Sequence, residues 1–182
     1  YSGYIGRTAV VAVYSGVCKV NAAIAAQLLI DVFDVGCIIN AGTAGGMDER
    51  VRLFDTVISE RMVYHDVAED ILTEFHPWLY AAAEKYSRES EFPILFGTMV
   101  SGEQFIEDEK RSEINRKFAP LSVDMETVSI AHVCYVNNIP FLSVRTVTDT
   151  AEHKGIENFE QNCEVASGRS AQIVIGILEQ YS

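Results

Sequence analysis

The sequence predicts a three-layer α/β/α domain built on a central, largely parallel mixed sheet, with residues 1–182 forming a single unit. Three observations predict it. Strand-like and helix-length segments alternate along the chain, with no repeat, linker or low-complexity tract between them. Two apolar, β-branched runs, Ser122 to Glu126 and Val144 to Asp149, each stop at a carboxylate and are separated by one helix-length stretch. Parallel strands joined by a helix bring their carboxyl ends to one sheet edge, where α/β proteins bind ligands. Finally, 182 residues of which 48% are hydrophobic and 22% charged suffice for one domain with a proper core.

In chain order, Ala9 to Tyr14 reads as a strand closed by Ser15-Gly16, and Val17 to Phe33 as a helix. Val17, Val20, Ile24, Leu28 and Val32 fall on one helical face, expected to meet the core, and Ser15 is the expected cap. Cys37 to Asn40 is a short strand running into the glycine-rich loop Ala41 to Gly46, and Val51 to Tyr64 contains another strand. Ile71 to Arg88 reads as helix. Pro93 opens a strand that ends at Ser101-Gly102, Glu107 to Lys117 forms a helix with a solvated charged face, and Thr127 to Asn138 is the helix between the two carboxylate-ending strands. Asn158 to Gln180 makes a long C-terminal helix.

Composition narrows the function. A net charge of −12 argues against a nucleic-acid groove, which needs a basic stripe. No apolar run approaches the roughly 20 residues that span a bilayer, and the first residues lack the order of a signal peptide. The four cysteines form no C-x-x-C pair; Cys37 and Cys134 read as buried thiols, and a reducing cytoplasm is the expected setting.

The chemistry concentrates at four strand endings: Gly42 to Gly46, Ser101 to Ile106, Asp124-Met125-Glu126, and Thr148-Asp149. Glu126 and Asp149 facing one crevice suit acid/base work on a polar small molecule. The glycine-rich loop lets backbone N–H groups approach a ligand closely, although a tight turn reads the same way. It matches neither the dinucleotide nor the triphosphate fingerprint. Read alone, Phe105 is either a stacking platform or core, with core favoured, and Asp149 is either a site carboxylate or a cap for the next helix. His132 reads as a core histidine, His76 and His153 as surface or loop residues. The Tyr64-His65-Asp66 corner lacks the further ligands a metal site needs, so no metal, flavin or nicotinamide cofactor is expected.

In this order the endings resemble the nucleoside phosphorylase/hydrolase superfamily, and most closely the 5′-methylthioadenosine/S-adenosylhomocysteine nucleosidases. The likeness runs through Ser15-Gly16-Val17 with Lys19-Val20, Asn40 to Gly46, Tyr64-His65-Asp66, Val100 to Ile106, Val123 to Glu126 with Ile130 to Cys134, and Val144 to Asp149. It implies a nucleoside phosphorylase-like fold and hydrolysis of an adenine nucleoside, with water as co-substrate. It further implies that Asp149 is a general acid at the adenine N7, helped by Thr148, and that Glu126 clamps the ribose hydroxyls, fixed by Arg145. Met125 packs under the ribose, Phe105 stacks on the base and the Ile106 backbone reads its edge. Thr43, Ala44 and Gly45 line the loop, Thr43 suiting a water; Val17 and Phe159 line the 5′ side; Asp124 stands where the family usually carries Glu. A homodimer is implied, with the neighbour closing the pocket.

A phosphorylase needs cations for phosphate beside the glycine-rich loop, and Ile39-Asn40-Ala41 supplies none, which favours hydrolysis. The resemblance also places a water-activating glutamate after a first strand that precedes Tyr1, and a longer loop between Asp66 and Leu72. Purine nucleoside phosphorolysis, a futalosine-type hydrolase and a non-catalytic nucleoside-binding or storage protein on this scaffold are the alternatives.

Overall fold

Strands β1 (Ser2–Ile5) and β2 (Thr8–Val11) form an antiparallel hairpin about Gly6, whose φ of 57° suits a residue without a side chain. This comes from a computed structural model that describes residues 1–71, 73–106, 108–152 and 156–181. The expected strand from Ala9 therefore ends early, and β1 (Ser-Gly-Tyr-Ile) has no apolar run to announce it; it becomes a strand by pairing with β2.

Six further strands follow: β3 (Ile38–Gly46), β4 (Thr56–Tyr64), β5 (Glu74–Phe75), β6 (Ile94–Ser101), β7 (Ser122–Asp124) and β8 (Phe141–Asp149). They hydrogen-bond in the order β5-β4-β6-β7-β3-β8, and β4 also pairs with β8, so the sheet curls closed on itself. The long ladders, β3 with β8 and β4 with β6, are parallel, as is the short β6–β7 pairing. The pairs β3–β7, β4–β5 and β4–β8 are antiparallel. The mixed α/β architecture stands as expected.

One detail of the expectation does not. Because β7 is antiparallel to β3 and β3 is parallel to β8, the two carboxylate-ending strands run in opposite senses with β3 between them. The glycine-rich segment is likewise strand rather than loop: β3 continues through Gly46, held by β8 on one side and β7 on the other.

Helices α1 (Lys19–Phe33) and α4 (Thr127–Val136) pack on one side of the sheet, where Ala22 and Ala26 meet Val128, Ala131 and Cys134. Helices α2 (Tyr80–Ser87) and α5 (Ile156–Tyr181) cover the other, with Ala83, Ile173 and Ile177 against Ile58, Leu142 and Val144. Helix α3 (Asp108–Phe118) brings Ile114 and Phe118 to Val63, Val100 and Val123. All nine residues of β8 are buried, which makes it the axis of the fold. Among the described residues no helix is long and apolar enough to cross a membrane.

Several local expectations are corrected. The α1 periodicity is real but faces the other way: Val17, Val20, Ile24, Leu28 and Val32 are all exposed, and the small Ala22–Ala26 face meets the core because it lets α4 approach closely. Ser15 does not cap α1; its hydroxyl bonds the neighbouring Gly16 carbonyl. The helix expected from Ile71 begins at Tyr80, because Glu74 and Phe75 pair with β4 as β5. Cys37 is exposed while Cys134 is buried, and His132 is exposed on α4, tilted against Phe75 at 4.9 Å between ring centres. In α3 the charged face is broken by Arg111, 8% exposed. His153 and Glu107 lie outside the described residues.

Leu142 on β8 is fully buried between the sheet and α5. Leu142→Ala is expected to destabilise the fold by about 2–5 kcal/mol, read as a lower urea midpoint with unchanged slope.

Candidate active site

Helix α4 starts where β7 stops, and that junction generates the site. Asp124 ends β7 and accepts from the free Thr127 amide of α4 at 3.2 Å, satisfying a helix-end donor. The same carboxylate accepts the hydroxyls of Ser101 and Thr127, and meets Arg145 Nη2 at 2.8 Å. Asp124 thus lies beneath the crevice, 7% exposed, and spends its lone pairs on the protein.

Two residues on, Glu126 reaches Arg145 Nη2 with Oε2 at 3.0 Å and accepts from the Cys18 amide with Oε1 at 2.9 Å. Burial pushes its carboxyl above the usual range, opposed by the Arg145 guanidinium and reinforced by Asp124. One buried guanidinium serves two carboxylates, so these three groups carry a net negative charge. Arg145 Nη1 also donates to the Thr43 carbonyl at 3.2 Å, and the Asn40 amide oxygen faces the guanidinium. Gly42 leaves the space: a Cβ there would stand 2.5 Å from Arg145 Nη1.

Asp149 ends β8, 4% exposed, against Gly45, where a Cβ would stand 3.1 Å from its Oδ2. It accepts the Thr148 hydroxyl at 2.9 Å. Burial raises its carboxyl above the ordinary value, while the Thr148 hydroxyl and the Arg111 charge pull it down. Arg111 reaches this end of the crevice through the Gly46 carbonyl.

The register spaces the two carboxylates. Arg145 pairs with Gly42 and Asp149 with Gly45, three residues on along β3, so Glu126 and Asp149 serve positions roughly 10 Å apart on one wall. What brings the two carboxylates to one wall is not a pair of parallel strands: Glu126 turns back over β3 to reach Arg145 on β8.

Several of the remaining expected residues belong to this wall or adjoin it. Thr43, Ala44 and Gly45 belong to β3 itself. Met125 is half-buried between Asp124 and Glu126, and Val17 adjoins Cys18, whose amide holds Glu126. Phe105 is 37% exposed, not core, and Ile106 is buried behind it. Their loop is fixed by the Gly102 amide on the Asp124 carbonyl and by Glu103, which accepts from the Lys19 amide at 3.1 Å. Phe159 lies on α5, half-buried, near its start.

Sequence reasoning missed four supports. Asn40 and Thr127 flank Arg145 and carried no pattern beyond their places at a strand and a helix start. Asp66, set aside as part of a poor metal corner, takes Lys19 Nζ on both oxygens at 2.9 Å and the Glu103 amide on one, binding the α1 start to the Phe105 loop. Cys18 adopts φ 75° and ψ 164°, a region otherwise almost reserved for glycine, to aim its amide at Glu126.

The chain belongs to the phosphorylase superfamily, whose family model matches residues 1–179. The chain is 36% identical to the 5′-methylthioadenosine/S-adenosylhomocysteine nucleosidase of Pseudoalteromonas translucida, over 99% of this chain and 83% of that protein. Among solved structures it is similar to the Neisseria meningitidis nucleosidase in complex with methylthio-immucillin-A, with a TM-score of 0.92 and 29% identity over 99% of this chain and 85% of that one. The Colwellia psychrerythraea nucleosidase in complex with adenine gives 0.90 and 32% identity, over 98% and 81%. Within the superfamily, the chain belongs to the 5′-methylthioadenosine/S-adenosylhomocysteine nucleosidase family.

Gly42→Ala is expected to displace the Arg145 guanidinium and so raise the Glu126 ionisation, followed by carboxyl carbon NMR. Gly36→Ala, where a Cβ meets nothing within 4 Å, is expected to leave it unmoved.

Proposed function

We propose that this protein hydrolyses the N-glycosidic bond of 5′-methylthioadenosine, S-adenosylhomocysteine or a related 5′-modified adenosine, releasing adenine and the free 5′-modified ribose. The carrying observation is the pair of carboxylates in different settings along one β3 wall: Glu126 held by a guanidinium, Asp149 buried against glycine and a hydroxyl. The spacing suits a nucleoside lying with its sugar at Glu126 and its base at Asp149.

Bond cleavage leaves electrons on adenine and positive charge on C1′. Asp149, protonated, gives its proton to N7 as the C1′–N9 bond breaks, so neutral adenine leaves; a positioned acid typically contributes about 10²–10⁴-fold. Its raised carboxyl keeps that proton available nearer neutrality. Glu126 accepts the ribose hydroxyls, and the net negative charge of the Glu126–Asp124–Arg145 group favours the cationic sugar. Water adds its oxygen to C1′ and sheds one proton to solvent, from which Asp149 regains its own for the next turnover; Thr43 is assigned to hold the water. Phe105 stacks on adenine beside the Ile106 backbone, Met125 underlies the ribose, and Val17 and Phe159 flank the 5′ substituent. Thr148 orients Asp149, while Asp124 and Arg145 orient Glu126.

We assign a homodimer and a reducing, cytoplasmic setting. The first is supported by the exposed aliphatic stripe Val20, Ile24, Leu28 and Val32 beside exposed Tyr135 and Val136, which a second copy would cover. The second is supported by four free thiols.

Adenine release from 5′-methylthioadenosine is expected in phosphate-free buffer and without stimulation by phosphate. Release only with phosphate would make the protein a phosphorylase, and none in either buffer would favour a binding protein. Asp149→Asn is expected to lower kcat at least about 10²-fold with nucleoside binding retained. In the parent, the acid works while protonated, so activity is expected to fall as pH rises through the elevated Asp149 ionisation, a limb absent from the residual activity of the variant. Leu28→Glu is expected to yield a monomer by sedimentation; an unchanged dimer would place the interface elsewhere.

A further inference from the structure

The β3–β8 ladder breaks its register at one place. Ala44 pairs with Val147 and Gly45 with Asp149, so Thr148 opposes no residue of β3. Thr148 is therefore the extra residue of a β-bulge, a device that bends a strand and re-aims a neighbouring side chain. The neighbour here is Asp149. On the other side of the strand, the Val147 carbonyl accepts from the Phe54 amide at 2.9 Å, so the bulge is anchored below. The Thr148 carbonyl instead takes its donor from a helix: Asn162 Nδ2 on α5, at 2.9 Å.

This contact joins three parts of the site. Asn162 stands three residues after Phe159, one helical turn, and so shares its face of α5. The peptide it bonds links Thr148 to Asp149, and the Thr148 hydroxyl above that peptide donates to Asp149 Oδ1. Further along α5, Ser170 donates to the Gly42 carbonyl at 2.7 Å and bonds the Thr146 hydroxyl at 2.8 Å, so the helix is tied at two points to the strands carrying the site.

We propose that Asn162 is a positioning residue for the reaction: through the Thr148 carbonyl it locks the β8 bulge, and the locked bulge aims the Asp149 carboxyl. The inference rests on the assignment of Asp149 as the acid. Asn162 touches neither reacting atoms nor Asp149 itself; it acts through one peptide. The chemistry requires a donor at this position, since a carbonyl freed by a bulge accepts only from an N–H or O–H. Asparagine on a helix supplies it where a strand amide cannot.

The test compares the parent with Asn162→Ala and the near-isosteric Asn162→Asp, by adenine release, by carboxyl carbon NMR of Asp149 and by thermal melting. Asn162→Ala is expected to lower kcat on the order of 10–100-fold, the scale of an ångström-sized misplacement, with KM within about 3-fold. Its Asp149 ionisation is expected to move upward, because a slack bulge loosens the Thr148 hydroxyl bond that favours the carboxylate. Asn162→Asp has no proton to donate when ionised and regains one on acidification. Its activity relative to the parent at the same pH is therefore expected to recover as pH falls, while that of Asn162→Ala does not. Parental kcat and an unmoved Asp149 ionisation in both variants would overturn the proposal. So would equal losses in both at every pH with lowered melting, which would make Asn162 merely structural. Should the parent release no adenine, the functional assignment fails, and the Asp149 ionisation in the two variants still decides whether Asn162 sets that carboxyl.

Discussion

A single guanidinium organises this molecule. Arg145 sits at the middle of β8, 6% exposed, and meets Asp124 at 2.8 Å and Glu126 at 3.0 Å. Removing one partner of such a buried pair costs about 3–5 kcal/mol, because it strands the other charge in a medium that solvates it poorly. The surroundings follow from that constraint. Gly42 must lack a side chain, Asn40 and the Thr43 carbonyl must offer oxygens, and Thr127 must start a helix where Asp124 can receive its amide. Strands β3, β7 and β8 and helix α4 are thereby held in one register by polar contacts as well as by the sheet.

The same group explains how two carboxylates served from positions three residues apart on β3 come to sit in different settings. Glu126 meets a positive charge in direct contact, whereas Asp149 accepts a neutral hydroxyl and feels the Arg111 charge. Burial lifts both carboxyls, but the contact charge opposes it only at Glu126. Environments that differ in this way let two carboxyl groups on one wall hold their protons differently. The register of β3 against β8 keeps those two environments apart.

A small ionic knot stands beside Glu126, next to Cys18. Lys19, Asp66 and Glu103 tie the start of α1, the corner after β4 and the loop after β6 to one another. The α1 amides of Cys18 and Lys19 point at Glu126 and Glu103, so the helix end is satisfied by carboxylates of the site, with the sign its dipole favours. Cys18 bears the cost in backbone strain, at a place where the surrounding contacts hold it. Separate segments are thus mechanically linked to the Glu126 carboxylate.

The sequence by itself determined the alternation of elements, the strands from Thr56 and Ile94, the apolar run Val144 to Asp149 that carries Arg145, and the strand endings beside which Glu126, Asp149 and Phe105 lie. These are local facts: apolar runs, helical periods and carboxylates at their ends are written in consecutive residues. Tertiary structure alone decided which way each faced. The α1 stripe had the right period and the wrong destination, because periodicity fixes a face but not what covers it. Glycines 42–46 became a strand because β7 and β8 flank them, and Asp124 turned inward because Ser101, Thr127 and Arg145 converge on it. The bulge at Thr148, the Asn162 amide that meets it and the opposed directions of β7 and β8 depend on contacts between residues far apart in the chain. No local pattern encodes such pairings, since each arises only when the sheet closes and the helices settle on it.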